Sequence, residues 1–269
     1  MSKGHKLIGS YRSFTGNFST GGIFDMPDVS QQRNSDSWDI ITNGLIMNLD
    51  ARNIQSYPGS GADWWSIGNV GGSVARVISN GTPSYNSQGF FSVNSDSQAF
   101  NIANYAAPTN SFTYEVWARP TATHEIDVES NGGAAGVFGQ KYLIGAAQAG
   151  AVRGGAGISC GTNGVSVYEH GDGYMPPLLV WSGTVSNTLF SHIVVVYSNR
   201  IPTLYVNNVF RRTGLVSGRP TSTAEGTTIG YGSYGFFTGD IAAVRFYNRS
   251  LSVNEIAQNF NALRGRYGV

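Results

Sequence analysis

Glu125-Ile-Asp-Val-Glu129 is the pattern in this chain with the clearest catalytic potential. On an extended strand side chains alternate between faces, so Glu125, Asp127 and Glu129 would share one. Such a row suits retaining hydrolysis of a glycosidic bond. One glutamate would attack, the other would give and take the proton, and Asp127 between them would tune both; the pair needs a separation of about 5–5.5 Å. The neighbours oppose a strand. Pro120-Thr-Ala-Thr-His124 leads in and Ser130-Asn-Gly-Gly133 leads out, which is turn chemistry. The expectation is therefore a loop, and no catalytic residue is assigned.

His124 beside these acids, and His170 in Glu169-His-Gly-Asp172, lack a metal-ligand spacing and read as surface-loop side chains. His192 opens a candidate central strand and reads as a hydrogen-bonded core or edge residue. Cys160, the only cysteine, lies between small strand residues with no basic neighbour, so it reads as buried and inert. Aromatic side chains can stack on sugar rings. Trp64, Trp65 and Trp181 are candidates, as are Tyr174 on the turn-rich Gly171-Asp-Gly-Tyr-Met-Pro-Pro177 and Tyr231 and Tyr234 on Gly230–Phe237. Tyr174, Tyr231 and Tyr234 are the ligand-binding residues we select, against the alternative that Trp and Tyr in a β protein are core residues.

The elements that would carry these residues are short strands. Charged residues make up 12% of the chain, about half the usual ~25%, and glycine contributes 36 of 269 residues, so polarity comes from Ser, Thr, Asn and Gln. That composition suits tight turns between strands. With 17 basic and 16 acidic residues and no basic patch, nucleic-acid binding has no support. The longest apolar runs, such as Ile193–Tyr197, are too short to span a bilayer, so no membrane insertion is expected. Met1-Ser-Lys-Gly-His-Lys6 lacks an apolar signal run, and a single cysteine excludes an internal disulfide; both lead to the expectation of folding in a reducing compartment.

Strand patterns begin at Gly44-Leu-Ile-Met-Asn-Leu-Asp50 and recur at Phe90–Val93, Ala99–Ile102 and Phe112–Arg119, where Phe112, Tyr114, Val116 and Ala118 share a face and Pro120 is a stop. Thr121–Gly157 looks like an insertion with one strand, Gln140–Ile144. Further strands are read at 164–169, 178–181, 191–197, 202–206, 209–212 and 228–231, with Asn207-Asn208 as a type I′ turn. About a dozen strands argue for a two-sheet antiparallel sandwich. The C-terminal Phe237–Ile256 run turns from strand to helix: Ser252 and Glu255 have capping-box spacing, Ile256, Phe260 and Leu263 form a stripe, and Gly265 is the expected end. Residues 1–42 have scattered aromatics and glycines without period. They read either as strands wrapped on the main domain or as an extended N-terminal docking arm.

Gly44–Asp50, Ser56–Gly61, Phe112–Pro120, Gly161–His170, His192–Tyr197, Leu204–Asn208 and Gly239–Asn261 occur in an order that resembles the laminin-G-like, concanavalin A-like domains of bacterial surface proteins and tailed-phage virion proteins, over residues 43–269. The resemblance implies a jelly roll of two antiparallel sheets with a short C-terminal helix, in a non-enzymatic virion component: a decoration, collar, neck or fibre protein. Its arm would dock on other virion structural proteins in a homo-oligomeric or multi-copy assembly, leaving a lectin-like domain facing host-surface glycans. Two alternatives follow from the same resemblance. One is a carbohydrate-binding module that is secreted or held at the bacterial cell surface. The other is a family 16-like glycoside hydrolase, whose Glu-x-Asp-x-Glu pattern residues 125–129 match, although the resemblance places them in a loop. No cofactor is expected beyond the Ca²⁺ that the family admits, for which Asp50, Asp63 and Asp240 are the candidate ligands, with backbone carbonyls completing the shell.

Overall fold

The structure, a computed structural model, describes residues 39–68, 74–77, 81, 83–95, 97–103, 106–225 and 228–269. In chain order the strands are β1 Leu45–Asp50, β2 Asp63–Trp65, β3 Val74–Val77, β4 Ser84–Asn86, β5 Phe90–Val93, β6 Phe100–Ala103, β7 Phe112–Pro120, β8 Tyr142–Ile144, β9 Arg153–Gly161 and β10 Gly164–His170. They continue with β11 Pro177–Ser182, β12 Ser191–Ser198, β13 Ile201–Val206, β14 Val209–Thr213, β15 Thr221–Thr223, β16 Thr228–Ile229, β17 Tyr231–Gly232, β18 Gly235–Phe236 and β19 Gly239–Tyr247, and the helix α1 spans Val253–Tyr267.

One sheet runs β14-β13-β12-β7-β19-β5-β4, with β1 also paired to β19; the second runs β11-β10-β9-β8-β16-β6-β3-β2. Pairing is antiparallel except where β15 joins β9 in parallel. Alternation selects the core: Tyr114 and Val116 of β7 and Ile193 and Val195 of β12 meet Ile158 and Cys160 of β9 and Val165 and Val167 of β10. Trp64, Phe91 and Phe100 extend it, with ring centroids 4.8–5.1 Å apart.

The helix covers the other face of the first sheet. Phe260 and Leu263 pack with Trp117, and Ile256 packs with Val194 and Tyr247. Ser252 accepts the Glu255 N–H while Glu255 accepts the Ser252 N–H at 2.8 Å, so the capping box forms as expected. The helix does not end at Gly265. It runs on to Gly268, whose left-handed φ of 72° lets its N–H reach the Arg264 carbonyl. Among the described residues no helix is long and apolar enough to cross a membrane.

Asn207 and Asn208 take φ of 51° and 60°, as the β13–β14 turn requires. Pro120 is the last residue of β7, so the strand stops there as expected. The largest departure is β9, whose first half, residues 153–157, fell inside the supposed insertion. Ala156, Ile158 and Cys160 face the core, whereas Gly155, Gly157 and Gly161 face away from it. A Cβ there would lie 2.0 Å from the Ala147 carbonyl oxygen, 2.5 Å from the Ala146 nitrogen and 2.4 Å from the His124 nitrogen. The glycines that hid the strand are what let the chain on either side of β8, at residues 123–124 and 146–147, lie on its back.

Candidate functional site

That covering segment carries the acidic triplet. No strand forms over residues 121–130, so Glu125, Asp127 and Glu129 do not line one face. Asp127 accepts hydrogen bonds from Tyr168 Oη at 2.7 Å and Gln140 Nε2 at 3.0 Å. Glu129 accepts the Val180 N–H at 2.8 Å and a bidentate pair from Arg212. Burial works to raise its pKa, but those donors hold it below the usual carboxylate range. Two of the three acids thus stitch the segment to β10, β11 and β14, and Glu125 is exposed.

His124 is buried, not on the surface. Its Nδ1 lies 3.0 Å from Ser159 Oγ, and burial lowers its pKa to about 4, which leaves the ring neutral. Gly157-Ile-Ser-Cys-Gly161 has the spacing of a serine-nucleophile turn, unassigned above. It lies in extended β9 with Ser159 fully buried and accepting the Lys141 N–H at 2.9 Å, so the serine is not presented to a substrate. Cys160 is buried as expected, and burial pushes its thiol pKa up. His192 stacks on Trp117 at 4.8 Å, with Nε2 3.2 Å from Glu115.

The aromatic candidates separate. Tyr174 is buried, a correction to its reading as the best exposed ring. Its hydroxyl meets Glu169 Oε2 at 3.3 Å, and the Arg219 guanidinium covers its ring at 4.6 Å. The surrounding Gly171–Pro177 turn folds back through a Gly171–Tyr174 bridge, which the turn residues alone did not reveal. Tyr231 is half-buried and Tyr234 is 43% exposed at the tip of the β17–β18 hairpin. Tyr234 rests on buried His170, ring centroids 5.5 Å apart; His170 too is no surface residue, its Nδ1 lying 3.1 Å from the Ala146 carbonyl oxygen. Trp64 is core, whereas Trp65 is 44% exposed.

The three aspartates sit in separate surroundings. Asp50 is buried and holds both carboxyl oxygens to Arg266 Nη1 at 2.7–2.8 Å. Asp240 takes Arg119 at 2.6 Å and the Ser92 hydroxyl at 2.6 Å. Asp63 opens β2. Among the described residues no three His, Cys, Asp or Glu side chains form a group that could hold a metal ion. The oxygens of Asp50 and Asp240 already answer guanidinium groups, a poor fit for an ion that needs six to eight oxygen ligands.

A groove of about 410 Å³ opens where the β9–β10 turn, the β11–β12 connection and the β13–β14 hairpin meet. It was not read in the sequence, because its residues come from three distant segments. Thr162, Thr184, Ser186, Asn187, Asn207 and Arg211 supply its polar lining. The Val185 N–H donates to the Thr162 carbonyl at 3.1 Å, and the His192 N–H to Asn207 Oδ1 at 2.8 Å, so the walls are tied together. Arg211 lies 5.0 Å over the ring of half-buried Trp181. A Cβ at Gly183 would lie 2.2 Å from that ring, so glycine lets the connection fold over the indole. Thr184 and Asn187 remain exposed.

The profile of a laminin-G-type family, described as the concanavalin A-like lectin/glucanases superfamily, matches residues 94–257. The chain belongs to that superfamily. No curated protein matches it. Among solved structures it is similar to the binding domain of Paraclostridial Mosquitocidal Protein 1 at 12% identity, TM-score 0.56, over 81% of this chain and 52% of that one. It is also similar to Trypanosoma rangeli sialidase at 16%, TM-score 0.54, over 86% and 34%. The botulinum neurotoxin type G receptor binding domain follows at 14%, TM-score 0.52, over 82% and 51%. The chain spans about a third to a half of these proteins, and at such identities the likeness is one of fold.

Proposed function

We propose that the chain is a non-catalytic, lectin-like binding module displayed on a tailed-phage particle, where it takes a saccharide in the groove at the loop end of the sandwich. One observation carries the binding reading. The groove sets hydroxyls, amides and the Arg211 guanidinium beside Val185 and Val206, the mix of orienting donors and apolar surface that a sugar needs. Of the three acids that could cleave a glycoside, Asp127 and Glu129 are committed to the fold through Tyr168, Gln140, Val180 and Arg212, which leaves exposed Glu125 without a paired carboxylate. Similarity to domains titled as binding and receptor-binding domains supports the same reading. Placement on a particle, in contact with other virion proteins, rests on the ordered sequence phrases.

A glycan array probed with the full chain, followed by calorimetry on each retained saccharide, tests this. Thr184→Val and Asn187→Ala each weaken binding by about tenfold, as loss of a hydrogen bond of about 1.4 kcal/mol would. Unchanged affinity in both variants, or no retained glycan, removes the groove from consideration. Mass spectrometry of purified virions tests the placement: stoichiometric copies support it and absence ends it.

A further inference from the structure

A second groove, of about 460 Å³, lies between the C-terminal end of α1, the β4–β5 turn and the β11–β12 connection. Its chemistry differs from that of the loop-end groove. Arg119 forms the floor, 5.4 Å from the Phe90 ring and 5.0 Å from the Phe190 ring. Its Nε and Nη2 donate to Asp240 Oδ2, and its Nη1 reaches the Thr188 carbonyl at 3.2 Å. Arg266 stands behind, held by buried Asp50. Arg52 is half-exposed on the wall, and among the described residues its side chain has no acidic partner.

The position of Arg52 is built. Gly89 has φ of +90°, and a Cβ there would lie 2.4 Å from Arg52 Cβ and 2.7 Å from its Cα. Only glycine brings the turn so close, and the turn is held by the Gln88 N–H donating to Asn86 Oδ1 at 2.9 Å. Ser87, Gln88 and Thr188 are exposed at the rim beside Leu189, which is 46% exposed. Arg119 and Arg266 are answered by Asp240 and Asp50, whereas the Arg52 guanidinium, among the described residues, stands with hydroxyl, amide and apolar groups around it.

We propose that this groove binds a singly charged acidic sugar: its carboxylate on Arg52, where a guanidinium offers paired donors, and its hydroxyls on Ser87, Gln88 and Thr188. One guanidinium without an acidic partner among the described residues matches one carboxylate better than a doubly charged phosphate, and the volume has room for one substituted ring. The two grooves share no lining residue, although both draw on the β11–β12 connection.

Chemical-shift titration of the full chain with D-glucuronate, D-glucose and sulfate tests it. Glucuronate binds at least about tenfold more tightly than glucose or sulfate, and Arg52→Gln and Gln88→Ala each weaken it while the unfolding midpoint stays at the parent value. Asn187→Ala, in the other groove, leaves glucuronate binding unchanged. Equal binding of glucose and glucuronate, full affinity in Arg52→Gln, or sulfate binding as tightly as glucuronate overturns the proposal; so does a loss in Asn187→Ala alone, which would place the acid in the loop-end groove.

Discussion

Two buried glutamates show how partners decide the state of one side chain. Glu169 follows Val165 and Val167 on the core face of β10 and is fully buried. Its neighbours are hydroxyls, Tyr174 at 3.3 Å and Ser217, so nothing positive offsets desolvation, and burial pushes its pKa to about 7. Burial would raise Glu115 as well, but Arg245 at 2.8 Å, His192 and Asn259 hold it at about 2. The signs of the resulting pH dependence are opposite. Between the usual 4.5 and about 7, folded Glu169 keeps a proton that the unfolded chain has lost, so its contribution falls as pH rises through that window. Glu115 and His124 have lowered values. Their contributions are complete above 4.5 and 6.5 and are lost as pH falls toward about 2 and about 4. Denaturant titrations of the parent and Glu169→Gln at several pH values should coincide near pH 4 and diverge in favour of the variant up to pH 7, by roughly 3 kcal/mol at 1.36 kcal/mol per pH unit. A constant gap across that range would mean that Glu169 does not hold its proton.

The elements were legible wherever one face met water or a cap spoke for itself. Phe112, Tyr114, Val116 and Ala118 do share the inner face of β7, but Glu115 and Trp117 on its other face are buried as well, under α1. Alternation marks the face that is apolar; it does not say what covers the reverse. Glu115 pairs there with Arg245 of β19, which also donates to Asn48 of β1 at 3.0 Å, a network across three strands and the helix that no local pattern announces. In β9 the alternation Ala156, Ile158, Cys160 was present, but glycine, a poor strand former, occupied 155, 157 and 161 on the other face, with Ser159 between them. Two substitutions separate the roles. Ser252→Ala removes a helix cap and costs about 1 kcal/mol. Gly157→Ala drives a methyl into the Ala146 backbone and costs more, within the ~1–3 kcal/mol of an overpacked site. If thermal unfolding ranks them the other way, residues 121–150 do not sit tightly on β9.

At the scale of the molecule, the sandwich is covered on both outer faces by its own chain: α1 on one sheet, and the segments on either side of β8, 121–141 and 145–150, on the other. The division at residue 42 is sharpened. Residues 1–38 of the expected arm lie outside the described residues, whereas Asp39–Ile41 belong with the domain. Ile40 is buried, the Ile41 N–H donates to Asn259 Oδ1 at 2.8 Å, and Gln258 reaches the Asp39 carbonyl at 2.8 Å. A chain lacking residues 1–38 should therefore keep one cooperative unfolding transition near the parent midpoint, yet fail to join particles if those residues dock. Removal of residues 1–42 should lower the midpoint, because it strips Ile40 and Ile41 from the helix. Loss of cooperativity in the shorter deletion would make the arm part of the core.

The sequence by itself determined the two-sheet sandwich, the capped C-terminal helix, the Asn-Asn hairpin and the loop character of Glu125–Glu129. These follow from side-chain alternation, cap spacing and turn residues, all of which act within a few positions along the chain. Only the tertiary structure decided which aromatics are exposed, which carboxylates are already paired with arginines, and where the grooves lie. Tyr174 and Tyr234 both sit on glycine-rich turns, yet one turn folds under Arg219 and the other leaves its ring at the surface. Burial, charge pairing and concavity come from contacts between segments tens to hundreds of residues apart, as Tyr174 with Arg219, Arg119 with Asp240 and Asp50 with Arg266 show.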